Sequence, residues 1–574
     1  YNMRSSAFTC LLLLLAGAAF SQQTTWITNV TIVNTKDGKL QPAQTVVVQG
    51  EKIIQVNRYN AKAKLPDSVK VVDGTGKFIM PGMVDGHIHF FQSGGLYTRP
   101  DGLNLGKVYS YEKDQQWIRE NHNDLMRRYL ACGITTVADV GGPMSNYDVR
   151  KKNSENSNSP GAWVTGPLIS TYQPPNLDKK DPPIIKVNNE EEARELVRKQ
   201  IPFKPDFIKI WYIVNPGQKA AATLPIVKAA IDETHKNGLK VCVHATEYET
   251  AKLAVEAGAD ILVHSVDDQL LDDAFLKQMK EKNVTYIPTA IVAKKYREVF
   301  TQQNDITTHD LTFAHPFIVN QLFDLKHLKA KEIGFDYKGY AKAVKLHDKT
   351  DTVIWQNIKR VTDAGINIVA GTDAGNIGTM HASSLYTELM VMRKSGMSNA
   401  QVLRSCTYNA AVGFGKEEET GSIAPNKLAN FLLLNKNPLD SLAYVNDFDF
   451  VINRGKWIKK DTLLPVTPQL LVDQQLAAYN ARNIDAFLFP YSDSVELYEY
   501  PGKMMGKGKE EMRKMYTGMF QQVTQLHCEL VNRIIQGNVI IDHESVSGFG
   551  NKPVRAIAIY TISNGKIQKV EFIQ

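Results

Sequence analysis

Between residues 83 and 373, short apolar runs alternate with stretches in which apolar residues return every three or four positions. The runs MVDGHIHF, ITTVADV, AWVTGPLIS, DFIKIWY, LKVCVHA, DILVHS, VTYIPTA and INIVAGTD read as strands. Between most of them lie amphipathic helical patterns, among them EEARELVRKQ, ATLPIVKAAIDETHKNG, YETAKLAVEAG and DDAFLKQMKEKN. Eight strands each followed by a helix is the count of an α/β fold, the TIM-like (β/α)8 barrel, whose active site lies at the C-terminal ends of the strands. Residues 81–419 are assigned to it. Residues 291–349 break the rhythm, being long, charged and partly helical, and are expected to form a lid or binding insertion. Its histidines, His309, His315, His327 and His347, have no ligand spacing and are expected at the surface.

Before the barrel, TNVTIVNT, QTVVVQG, EKIIQV and VKVVDGTGKFIM are β-rich runs separated by Asp-Gly and Gly-Glu-Lys turns. Such a small layer, residues 22–80, cannot bury both its faces alone. Further strands return in KLANFLLLN and FVINRGKWI, within residues 420–464, so two distant segments are expected to build one β-sandwich. After the linker LLPVTPQ, residues 465–574 run helix, strand, helix, strands. There RAIAIYTI, joined through SNGK to KIQKVEFI, predicts a curved antiparallel sheet covered by helices on one face.

Composition adds limits. A chain of 574 residues is too long for one core, and three domains are expected. Hydrophobic residues at 43% and charged ones at 22% describe an ordinary globular protein. The net charge of +7 is thinly spread, which argues for neither a nucleic-acid partner nor a membrane surface. Residues 1–21 read as a signal peptide, Met3-Arg4 followed by an apolar run over 7–20, with cleavage expected after Ser21. The run is shorter than the roughly 20 residues of a spanning helix, so a periplasmic or secreted protein without a stable membrane anchor is expected, an uncleaved anchor being the alternative. Cys132, Cys242 and Cys406 lie in apolar patterns, and no C-x-x-C occurs, so buried free thiols are expected. A homo-oligomer is left open.

The polar residues of the barrel pattern gather at strand ends. PGMVDGHIHF sets His87 and His89 two apart, and side chains alternate along a strand, so both imidazoles face one way. Lys209 follows on the fourth strand, His244 on the fifth, His264 on the sixth and Asp373 on the eighth. Neutral imidazole and carboxylate suit zinc and similar divalent ions. Lys209 is the odd member: an ammonium repels cations, but a neutral amine can add carbon dioxide to give a carbamate whose two oxygens can bridge two metals. Taken singly, His244 and His264 also fit satisfied core histidines, Lys209 a side chain reaching solvent or Asp206, and Asp373 a loop cap. Six such residues at successive strand ends favour a metal site.

In FIMPGMVDGHIHF, GITTVADVGG, DFIKIW, VHA, LVHS, VTYIPT, GTDAG, MHASSLYTEL and CTYNAA, taken in that order, the chain resembles the amidohydrolase superfamily, nearest its imidazolonepropionase-like and prolidase-like branch. The resemblance implies that His87, His89 and Asp373 hold the more buried of two metal ions and His244 and His264 the more exposed, with carboxylated Lys209 bridging both. It also implies that Asp373 accepts the proton of the attacking water. His381, in TMHASS, would orient substrate or the transition-state oxygen, or else support the site or start a helix. Tyr248, Tyr172 and Trp211 are the candidate substrate contacts, with Tyr97, Arg99 and Tyr212 also loop-side. In LAAYNARNIDAFLFPYSDSVELYEYPGKMMGKGKEEMRKMY the third unit resembles the SnoaL-like or ketosteroid-isomerase-like α+β cone. Within it IDHESV alternates as a strand does, so Asp542, His543 and Glu544 are expected to be structural.

The expected protein is therefore an exported amidohydrolase that cleaves an amide or cyclic-amide C–N bond of a small molecule, a dipeptide among the candidates. Its expected cofactors are two divalent ions, zinc first, and a carbamate on Lys209. The alternative is a non-catalytic ligand-binding or assembly protein that uses the C-terminal cone, with the barrel as scaffold.

Overall fold

The computed structural model describes residues 24–66, 68–214, 218–346 and 349–573. The export segment expected over residues 1–21 and the insertion residue His347 lie outside the described residues.

The first segment and the returning one form a single hydrogen-bonded sheet of eight strands. Phe78–Pro81 pairs with Phe431–Leu434, so residues more than 300 positions apart in sequence share a ladder. A second set of bonds, Ile53 N–H to Lys427 O at 2.9 Å and Ala429 N–H to Glu51 O at 2.8 Å, joins the other edge. The expected sandwich is thus one sheet curled around its own apolar core, which holds Ile27, Val46, Ile79, Phe431 and Ile452. Gly455 shows why that closure needs glycine: at φ +74° its missing Cβ would sit 1.8 Å from Gly50 O.

The next strands are parallel. Met83–Ile88, Ile134–Asp139 and Gly161–Val164 form one sheet; Leu168–Ser170, Ile208–Trp211, Val241–His244, Ile261–Val263, Thr285–Ile287 and Asn367–Ile368 continue in order in a second, with Ile184–Lys186 at its edge. Backbone bonds join the two sheets at both ends. Asp206 N–H reaches Val164 O at 3.0 Å, while Gly86 N–H reaches Ala370 O at 2.9 Å and His89 N–H reaches Ala374 O at 2.8 Å. This is a TIM-barrel-like arrangement, with helices such as Glu190–Gln200, Ala220–Lys236 and Tyr248–Ala257 between the strands. AWVTGPLIS, expected as one strand, is two, Gly161–Val164 and Leu168–Ser170. The break follows from Pro167, which has no N–H to donate, and from Gly166, whose N–H is taken by the Gln200 side chain at 3.1 Å.

The insertion holds the helices Val292–Thr301, Thr308–Phe313, Pro316–Gln321, Ala330–Ile333 and Tyr337–Ala343. Its described histidines, His309, His315 and His327, are not the surface residues expected from spacing. His315 is buried edge-on against Trp117 and caps the helix that follows it, and burial pushes its imidazole down to about 3. His309 packs between Phe313 and Tyr386. His327 Nδ1 lies 3.0 Å from Nε2 of His527 in the C-terminal unit. The physical reason is a shared core: Leu311, Ile318 and Leu325 of the insertion pack in one cluster with Leu96 and Tyr97 of the loop after the first barrel strand and with Leu471, Val472 and Phe487 of the C-terminal unit.

That last unit is a six-stranded sheet in the order Lys503–Lys507, Tyr491–Glu499, Lys566–Ile573, Val554–Ser563, Val539–Ser547, His527–Gln536, with the helices Pro468–Asn480, Ile484–Leu488 and Lys509–Gln522. The sheet is mixed rather than purely antiparallel, because Tyr491–Glu499 pairs parallel to Lys566–Ile573. Cys132, Cys242, Cys406 and Cys528 are buried and free. Among the described residues no helix is long and apolar enough to cross a membrane.

Candidate metal centre

The side chains at the strand ends converge. His87 Nε2 and His89 Nε2 stand 3.3 Å apart, and each faces Asp373 Oδ1, at 3.3 and 3.1 Å. His264 comes within 3.8 Å of Asp373 Oδ2, and His87, His264 and Asp373 each offer a ligand atom within 4.8 Å of the others. The His244 ring lies 4.4 Å from that of His264, centroid to centroid. Lys209 is 1% exposed, and its charge is felt by His87, His244 and His264 alike. It does not pair with Asp206, which is held by Arg150 and Lys416 at 3.0 Å each.

Second contacts aim the rings. His89 Nδ1 lies 2.7 Å from Gly141 O, which can only accept, so Nδ1 carries the proton and Nε2 presents its lone pair to the cluster. His264 Nδ1 lies 2.9 Å from Thr289 Oγ1. His264 and Asp373 both adopt the left-handed backbone region, at φ +74° and +59°, a conformation that side chains other than glycine hold only when the surroundings impose it. The imposing contacts are visible for Asp373, whose N–H is bound to His87 O at 2.7 Å.

Burial is the first cause holding His87, His244 and His264 well below the usual imidazole range, and Lys209 adds to it in all three. Burial likewise brings Lys209 down to about 8, so the neutral amine is within easy reach. Three polar atoms in the cluster, His87 Nδ1, Lys209 Nζ and Asp373 Oδ1, are buried without a hydrogen-bond partner. Buried polar atoms seldom stay unpaired. Imidazole nitrogens and a carboxylate converging around a buried amine fit a divalent cation once that amine is neutral.

The remaining candidates divide. Trp211 and Tyr172 form a chain of rings leading from the cluster, Trp211 at 6.1 Å from His244 and Tyr172 at 6.2 Å from Trp211, and all three are partly exposed. Tyr248 does not join them: its hydroxyl is spent on Asp272 at 2.7 Å and its ring packs on Phe275. Tyr212 is likewise tied back, to Ala220 O at 2.7 Å. His381 has both nitrogens engaged, Nδ1 with the Tyr129 hydroxyl and Nε2 with Gln92 O, each at 2.7 Å, which leaves neither free to meet a substrate. Arg99 grips Asp101 at 2.8 and 2.6 Å and Asn376 at 2.5 Å, and its charge reaches Asp373, His244 and His264.

Spacing arguments passed over Asp85, Asp139, Thr289 and Thr372. Asp85 accepts from the Thr372 amide and hydroxyl, and Asp139 accepts from the Phe90 and Gly141 amides at 3.0 and 3.2 Å. Burial pushes these carboxyls up, Asp85 to about 7 and Asp139 to about 6. The signal that could have found them was present in MVDGH and TVADV: an acid inside an apolar run must find partners when the run is buried.

A TIM-barrel-like fold with a polar cluster of imidazoles, a carboxylate and a buried lysine at the strand ends defines a hydrolase acting on carbon–nitrogen bonds. Residues 78–458 match the model of the amidohydrolase family, and the chain belongs to that family. Residues 472–570 match the model of the SnoaL-like domain. The chain is 21% identical over 439 residues to an imidazolonepropionase of Fusobacterium nucleatum subsp. nucleatum, covering 72% of this chain and 91% of that one. In structure it is similar to a Xaa-Pro dipeptidase solved with bound methionine in its active site, at a TM-score of 0.58 and 21% identity, covering 76% of this chain and 100% of that one. It is also similar to phenylurea hydrolase B, at a TM-score of 0.60 and 19% identity, covering 77% of this chain and 98% of that one.

Proposed function

We propose that this protein is a metal-dependent amidohydrolase that cleaves an amide or cyclic-amide C–N bond in a small molecule, with dipeptides as the first substrates to try. The observation that carries the reading is the convergence of His87, His89, His264 and Asp373 at the strand ends, with His244 beside them and Lys209 Nζ and Asp373 Oδ1 buried without a hydrogen-bond partner. In this reading the barrel closes fully, His87, His89 and Asp373 hold one divalent ion, His244 and His264 hold a second, and Lys209 joins them as a carbamate. Zinc is the first candidate by donor type. The chemistry such a pair supplies when bound is Lewis acidity toward water and toward the scissile carbonyl. Asp373 takes the proton as the water oxygen bonds to the carbonyl carbon, and delivers it to the leaving nitrogen as the C–N bond breaks. Trp211 and Tyr172 give the substrate an aromatic wall on the exposed side of His244, while Arg99 is held by Asp101 and Asn376. His381 steadies the loop that carries Gln92 rather than touching substrate.

The scaffold reading, in which the barrel binds nothing, would leave Lys209 Nζ and Asp373 Oδ1 buried and idle, a cost that supports the hydrolase instead. The proposal includes export, resting on the apolar stretch over residues 7–20. Its chemistry is tested by loading the purified chain with zinc and screening dipeptides and N-acyl amino acids. Hydrolysis that persists undiminished after the metal has been stripped and its removal verified would refute the reading.

A further inference from the structure

The C-terminal unit encloses a cavity of about 520 Å3 that shares no residue with the barrel cluster. Seven aromatic rings and three methionines bound it, and the charged side chains lining it, among the described residues, are two acids, Glu499 and Glu544, with no lysine or arginine. Glu499 stands at the rim and is answered by Lys503 at 2.7 Å. Glu544 is the inner one: it is 8% exposed and accepts the Tyr560 hydroxyl at 3.0 Å.

The titratable groups facing Glu544 come from several elements. From its own strand comes Asp542; from His527–Gln536 come the Cys528 thiol and Arg533; from Val554–Ser563 comes Tyr560. The helices and the remaining strand supply Tyr479, Tyr516 and Tyr491, each of which feels the Glu544 charge. Arg533 is the one cation in this set, and it is already spent. It forks onto Asp542 at 2.6 and 2.7 Å and also binds Asp473, so those three side chains sum to a negative charge.

We infer that this cavity is a second ligand site, built for a lipophilic amine whose ammonium group meets the Glu544 carboxylate and the faces of the surrounding tyrosines. The amine's hydrocarbon body lies against the aromatic and methionine walls. An anion is opposed by the acid excess, and a neutral molecule makes no use of it. In the absence of ligand, burial and then the Asp542 charge push Glu544 up to about 7, so the cavity answers its own excess with a proton. An arriving ammonium replaces that proton. Binding near pH 6 is therefore coupled to proton release, and the coupling fades above about pH 8, where the carboxyl is already ionised.

The test is calorimetric titration of the full chain with 2-naphthylmethylamine and with its neutral twin, 2-naphthylmethanol, in buffers of different ionisation enthalpy at pH 6, 7 and 8.5. The amine is expected to bind at least about tenfold more tightly than the alcohol and to expel close to one proton at pH 6. Glu544→Gln should abolish the proton release and bring the amine to the level of the alcohol while leaving hydrolysis by the barrel unchanged. Ala556→Leu, which fills the cavity, should remove binding of both. Equal affinity for amine and alcohol in the native chain, no saturable binding of either, or proton release that survives in Glu544→Gln would each overturn the inference. The first two comparisons need no variant, so they stand even if a substitution impairs folding.

Discussion

Asp85 holds Thr372 across the seam between the first and last strands of the barrel, its Oδ1 accepting the Thr372 amide at 3.0 Å and its Oδ2 the hydroxyl at 2.7 Å. Two residues beyond Asp85 is His87, and one beyond Thr372 is Asp373. The pair therefore sets the separation between two ligand atoms that the chain supplies from opposite ends of the barrel.

Removing that brace should loosen the metal more than the fold. Asp85→Ala is expected to weaken divalent-ion affinity by about 10–100-fold, as loss of a group that orients a metal ligand commonly does. Competition against a chelator of known affinity measures it. Affinity equal to that of the native chain would show that Asp85 braces nothing that matters to the ions.

Lys209 should be inseparable from the ions. The native chain is expected to carry close to two divalent ions, and Lys209→Ala to lose metal and hydrolysis together, with activity falling by at least about 100-fold. Metal analysis alongside turnover of the same preparation decides this. A variant with full metal content and full activity would make the buried amine a packing residue.

Glu388 gives the stability a pH dependence of known sign. Its carboxyl accepts from the Ala290 and Ile291 amides at 2.9 and 3.1 Å, yet burial pushes it up to about 8 from 4.5. A raised carboxyl means the folded chain holds a proton that the unfolded chain has released. The stabilisation is complete below about pH 4.5 and is lost as pH rises toward 8. Urea unfolding of the native chain and Glu388→Gln at pH 5, 7 and 8.5 should show the native chain losing at least about 1 kcal/mol relative to the variant across that range. Parallel pH profiles would contradict it.

The C-terminal unit should matter to the barrel because they share a core. Leu471 of the C-terminal unit packs in one cluster with Leu96, Tyr97 and Ile318 of the barrel, and Tyr97 donates its hydroxyl to Asp324 at 2.7 Å. Leu471→Ala is expected to cost about 2–5 kcal/mol of stability. A chain ended at residue 464 should lose hydrolysis although every ligand residue remains, because the loop that carries Arg99 loses its cover. Full turnover by the shortened chain would show that the two units work apart.

Much of this was legible in the chain before any coordinates. The alternation of apolar runs and amphipathic helices was sufficient to order the strands, because burial on both faces leaves a continuous apolar signature. His87 and His89 could be placed on one face from a period of two alone. Tyr248 shows the limit of such local patterns: it was a candidate substrate contact, but Asp272, the residue that captures its hydroxyl, lies 24 positions further on. The insertion histidines were misjudged because their spacing says nothing about which other segment comes to cover them. The acid bias around Glu544 was likewise hidden, since its strand alternates as any strand would while its neighbours come from five separate elements.

By itself the sequence determined which side chains stand at strand ends and what chemistry they can offer, because strand period, helix period and ligand type are properties of near neighbours. Only the tertiary structure decided which atoms meet. It turned His89 so that its Nδ1–H donates to Gly141 O, forced His264 and Asp373 into left-handed backbone, and drew the insertion into a core common to two domains. Those outcomes depend on contacts between segments tens to hundreds of residues apart, and such contacts are selected by packing and by the need of buried polar groups for partners, which no local pattern records.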